Sequence, residues 1–91
     1  MITEEQAKEV ANKLNVNFDL FPIEDFITGL NIELEHGKVN PITNVTDDDL
    51  ILTGKIALAH LNEFPNYYNK DYGLLKFESM LKEKNKNYFG Y

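Results

Sequence analysis

Residues 46–63 read TDDDLILTGKIALAHLNE, and this stretch decides the fold. It opens on Thr46, Asp47, Asp48 and Asp49, a cap and an acidic first turn. Short oxygen-bearing side chains accept from the free amides of a helix start, and acids suit its positive end. Leu50, Ile51, Ile56, Ala57, Leu58 and Leu61 follow, spread over more than half of a helical circumference. That predicts a central helix near 47–63. Pro65 ends it, because the residue before a proline leaves the helical region.

On the N-terminal side, Pro22, Glu24 and Asp25 suit a helix start. Ile23, Phe26, Ile27, Leu30 and Leu34 share one face, so a helix is expected near 22–36. Ile32, Leu34 and His36 also alternate with Glu33 and Glu35, a pattern that suits a short strand near 31–36. Gly37 fits a left-handed C-cap. Further upstream, Thr3 and Gln6 make a capping box, and Ala7, Val10, Ala11 and Leu14 repeat at helical spacing. Helix one therefore runs near 3–14. Downstream, Pro65 opens a helix to about residue 84, with Gly73 as a point of interruption. Its apolar side carries Tyr67, Tyr68, Tyr72, Leu74, Leu75, Phe77, Met80 and Leu81. Tyr88, Phe89, Gly90 and Tyr91 form either a frayed tail or an aromatic anchor. The expected fold is all-α, a compact bundle of about four helices in one domain spanning 1–91.

Charge is uneven. Residues 1–50 hold eleven acids and three lysines, net −8, while residues 51–91 hold four acids and six lysines, net +2. The chain has no arginine, the preferred residue for bidentate phosphate and guanine contacts. Duplex nucleic acid is thereby excluded as the main partner. The acidic half could meet a basic protein surface, mimic nucleic acid, or simply keep the protein soluble. No run approaches the roughly 20 apolar residues of a membrane span. The first residues lack the basic and apolar regions of a signal peptide, so a cytoplasmic location is expected. With no cysteine, thiolate chemistry is absent.

Two histidines carry the chemical interest. Glu33 and His36 stand three residues apart, as do His60 and Glu63, and on helices each pair shares a face. Together Glu33, His36, His60 and Glu63 could hold a divalent metal such as Zn, Fe or Mn, echoing the Glu-x-x-His units of carboxylate-bridged bundles. The second unit is reversed, however, and no further glutamates complete a di-metal set. The same rings could instead cap a helix end and form a polar link between helices two and three. Thr53-Gly54-Lys55 is not a nucleotide loop, since Asp49 stands where glycine is needed and Ile56 replaces the hydroxyl residue. Asp47-Asp48-Asp49 lacks the glycine and terminal glutamate of a calcium loop. No catalytic triad is readable, so no catalytic residue is assigned. Tyr67 and Tyr68 suit an interface better than base stacking, which needs a basic groove.

Gly29 to Gly37 (GLNIELEHG), Thr43 to Asp49 (TNVTDDD), Thr53 to Glu63, Pro65 and Tyr67-Tyr68 resemble together a domain-of-unknown-function family of bacteria, bacteriophages and other viruses. The resemblance spans roughly residues 22–70. Leu50 departs from the proline expected there. The resemblance implies a compact helical module, phage-associated, with no activity attached. It draws attention to Glu33, Glu35, His36, Asp48, Lys55, His60 and Tyr68. The expected function is a non-catalytic protein-interaction module with no cofactor, a protein partner, and room for self-association. Its contact candidates are Glu35, Asp47, Asp48, Asp49, Lys55, Tyr67 and Tyr68. The alternative is a metal-binding helical protein with a Glu/His site.

Overall fold

In the computed structural model, the backbone is described for residues 1–89 and side chains for residues 1–85. The expectation for the aromatic end, Tyr88 to Tyr91, lies outside the described side chains. The described residues form four α-helices, α1 (Glu4–Lys13), α2 (Ile23–Glu33), α3 (Leu50–Glu63) and α4 (Leu74–Phe89), with one 3-10 turn at Leu34–His36. Among the described residues there is no strand, so the fold is an all-α bundle.

The start of α1 follows from its capping box. Thr3 Oγ1 accepts from the Gln6 amide, and the Gln6 side chain accepts from the Thr3 amide at 2.9 Å. On the wet face, Glu4 pairs with Lys8 and Glu9 with Lys13. On the dry face, Ala7, Val10 and Ala11 are buried. They join Phe21, Phe26, Leu30, Ala57, Leu61 and Tyr68 in one core. In that core α1, α2 and α3 pack on one another, and α3 touches both of the others. The Ile2 amide donates to Asn31 Oδ1, which ties the chain start to α2.

Four local expectations need correction. The alternating segment 31–36 is not a strand: α2 runs through it into the 3-10 turn, and the Leu34 amide donates back to Leu30 O. The third helix starts at Leu50 and not at 47. Asp49 is the N-cap, accepting from Ile51 and Leu52 amides at 2.8 and 3.0 Å, whereas Asp47 and Asp48 have left-handed φ of 54° and 61° that no helix can include. The fourth helix starts at Leu74 and not at Pro65. Residues 64–73 form successive turns, because Asn66 and Asn69 bend the chain back and Asn69 Oδ1 accepts from the Asp71 amide. Gly37 is not left-handed: its φ is −101°. A β-carbon there would lie 1.9 Å from Asp48 Oδ1, so glycine serves the close approach of the 37–49 loop.

Beyond this three-helix body, α4 leans on little. Leu74 packs against the core, but Leu75, Phe77, Met80 and Leu81 are exposed. A cleft of about 730 Å³ separates α4 from Glu35. The radius of gyration, 14.2 Å, exceeds the roughly 12 Å of a close-packed chain of this length. No helix among the described residues is long and apolar enough to cross a membrane.

Candidate functional site

A carboxylate sits where the helices meet. Glu33, in the last turn of α2, is 2% exposed. Burying a charge without partners is costly, so its surroundings must compensate. The Tyr68 hydroxyl, from the turns after α3, donates to Glu33 Oε2. His60 Nδ1, from α3, lies 3.1 Å from the same oxygen and 2.9 Å from the Tyr68 hydroxyl. Since the Tyr68 proton is committed to Glu33, Nδ1 faces two oxygens and satisfies them only as a donor. The other carboxylate oxygen, Oε1, lies 3.5 Å from His36 Nε2. That same nitrogen lies 3.4 Å from Glu35 Oε1. No buried side-chain nitrogen or oxygen among the described residues lacks a partner.

Rings complete the arrangement. The Tyr67 ring stacks on His60 with centroids 4.3 Å apart and an interplanar angle of 14°. Tyr68 meets Tyr67 edge-on at 5.0 Å. Tyr68 itself is 1% exposed and runs directly over Gly29 of α2. Gly29 and Glu33 are four residues apart, so one helical face supplies both the space for the ring and the acceptor for its hydroxyl.

Burial, then the hydrogen bond to Glu33 and its charge, push the Tyr68 phenol far above the usual tyrosine range. Burial and the Glu33 charge also raise Tyr67. The consequence is an alkaline instability. An unfolded chain releases the Tyr68 proton near about pH 10, whereas the folded chain keeps it. Above that pH the unfolded state binds fewer protons. Stability that is complete below about pH 10 is therefore lost as pH rises, by up to about 1.4 kcal/mol per unit for this one group. Urea titrations between pH 9 and 11 should show a shallower decline for Tyr68→Phe than for the parent. Equal slopes would disprove this role.

Of the four residues read as metal candidates, the structure unites Glu33, His36 and His60 around one carboxylate. Glu63 is exposed and stands outside these contacts, although its charge reaches Tyr67. Glu35 takes its place: ligand atoms of Glu33, Glu35 and His36 all lie within 4.8 Å of one another. Among the contact candidates, Tyr68 is buried in the core and so presents no surface, and Tyr67 is half-buried. Asp49 is occupied as a cap. Asp47 pairs loosely with Lys38 Nζ at 3.9 Å, and Asp48 Oδ1 accepts from the Lys38 amide at 2.9 Å. Lys55 is exposed on α3. Sequence reading missed the task of Gly29. The available signal was its i,i+4 relation to the acidic Glu33 on an otherwise apolar face.

The model of one family of proteins of unknown function, DUF5661, matches residues 7–78. The chain belongs to this family. The match takes in every member of the Glu33 network and Gly29, and it ends within α4. No curated protein and no solved structure matches the chain.

Proposed function

We propose that this DUF5661 protein is a small non-catalytic protein-interaction module that binds through α4. One observation carries the reading. Phe77, Met80 and Leu81 share a helical face and remain 57%, 59% and 43% exposed. A contiguous apolar stripe of this kind marks an interaction surface more often than scattered single residues do. The Glu33 network supports the non-catalytic part, because Glu33 Oε2, the Tyr68 hydroxyl and His60 Nδ1 are consumed in joining α2, α3 and the 64–73 turns. The setting we propose is the one the resemblance implies: an accessory, virion or host-takeover protein of a phage, acting in the host cytoplasm or packaged in the particle. Phe77→Glu/Met80→Glu should abolish capture of specific proteins from a native extract while leaving the melting temperature within a few degrees of the parent. Capture of the same proteins by parent and variant would refute binding through α4.

A second reading rests on the Glu33, Glu35 and His36 triad. Two carboxylates and an imidazole suit Zn or Mn and leave a fourth position open. Under this reading, metal at 100 times its dissociation constant raises stability by about 2.7 kcal/mol, and Glu35→Ala removes the gain. A melting temperature indifferent to Zn, Mn and chelator, in protein made without a histidine tag, would eliminate it.

A further inference from the structure

A second surface on the same chain matches the α4 stripe. The 37–49 loop exposes three apolar side chains, Val39 at 80%, Ile42 at 92% and Val45 at 75%. They stand three residues apart and are followed by the exposed Asp47 and Asp48. The loop is held open rather than collapsed. The Ile42 amide donates to Asn40 Oδ1, the Thr43 amide to Asn40 O, and the Asp47 amide to Asn44 Oδ1. Behind them, Val45 and Thr46 amides both donate to His36 O. The two aspartates that follow have left-handed φ: Asp48 Oδ1 folds back on the Lys38 amide, while the Asp47 carboxylate meets Lys38 Nζ loosely at 3.9 Å and keeps most of its surface in water.

The α4 stripe is the complement. It offers Phe77, Met80 and Leu81 where the loop offers Val39, Ile42 and Val45. Lys76 and Lys84 stand four residues on either side of Met80, on the same helical face, where the loop offers Asp47 and Asp48. Each surface is apolar with a charged flank, and the flanks are of opposite net sign: Lys38 offsets one charge of Asp47 and Asp48, and Glu83 offsets one charge of Lys76 and Lys84. Both remain exposed within one molecule, so they do not satisfy one another there.

We propose that a second copy of this chain occupies both surfaces, α4 of each protomer seated on the 37–49 loop of the other. This deepens the interaction reading above and rests on it. The arrangement is isologous, so one complementary pair of surfaces closes a two-fold dimer and every contact occurs twice. It also explains why both halves of the pair lie on one chain, which a foreign partner would not require.

The test uses sedimentation equilibrium of the full chain with two variants at exposed positions, Phe77→Glu and Ile42→Lys. The parent should be largely dimeric at about 100 µM, as a modest interface requires mass action to fill. Each variant alone spoils both contacts of its own dimer and should weaken association at least about a hundredfold. An equimolar mixture should regain dimer. A mixed pair keeps one intact contact, and in the other it sets the introduced carboxylate against the introduced ammonium. Melting temperatures near the parent's show that both variants fold. A parent that stays monomeric at that concentration overturns the proposal, and so does a dimer indifferent to Ile42→Lys, which would place α4 against α4. A mixture that stays monomeric overturns it too. If the parent is monomeric but still captures foreign proteins through α4, the self-association fails while the interaction reading stands.

Discussion

Glu33→Ala lowers the unfolding free energy by about 3–5 kcal/mol. A chain of this length holds roughly 4–8 kcal/mol in all, so the variant keeps only a small margin of stability. The loss has separate parts. The buried Tyr68 hydroxyl loses its carboxylate acceptor, and His60 Nδ1 at 2.9 Å can replace it only by giving up its own proton. His60 Nδ1 loses the carboxylate at 3.1 Å, and the space of the missing group stays open between α2 and the 64–73 turns. Glu33→Gln separates these parts, since it keeps the shape and one acceptor oxygen and should cost clearly less. Glu35→Ala is the control: it removes an exposed carboxylate and should change stability by no more than about 0.5 kcal/mol. Urea unfolding gives the order through the midpoint at constant slope. A Glu33→Ala protein within about 1 kcal/mol of the parent would mean the network holds nothing together.

Gly29→Ala is the second large effect, and its sign opposes helix propensity. In an exposed helix, alanine in place of glycine gains about 1 kcal/mol. At this position the new β-carbon would stand 2.6 Å from Tyr68 Cε2 and 2.8 Å from Cδ2. The ring has nowhere to go, because it is fully buried and its hydroxyl is held by Glu33 and His60. Overpacking of this kind costs about 2–3 kcal/mol, a fall in melting temperature of roughly 10–20 °C. The cost should shrink or reverse in a Tyr68→Leu background, where the ring is absent and only helix propensity remains. A Gly29→Ala protein that melts at or above the parent temperature would contradict this packing.

Much of the fold was legible from local chemistry. The Thr3/Gln6 box placed α1 to within a residue at each end, because a cap and an apolar repeat are both written in neighbouring side chains. The α3 span was legible for the same reason, except at its start. There the three aspartates are equivalent in composition, and only the loop's path decides that Asp49 caps while Asp47 and Asp48 turn left-handed. The alternation at Ile32 to His36 gave a strand signal, but the segment continues α2 as a 3-10 turn. Tyr67 and Tyr68 looked alike in sequence. One stacks half-buried on His60, and the other fills the core.

The opening stretch, residues 46–63, shows the division. By itself the sequence determined that this segment is a helix, that the protein is all-α, and that charge divides between an acidic first half and a mildly basic second half. Those properties depend on residues a few positions apart or on simple sums. Only the tertiary structure decided that His60 shares one buried carboxylate with Tyr68 and that His36 takes its other oxygen. It also decided that Glu63 stays out, and that α4 keeps its apolar stripe in water. Contacts between residues 27 and 35 positions apart depend on how helices cross, which no local pattern encodes.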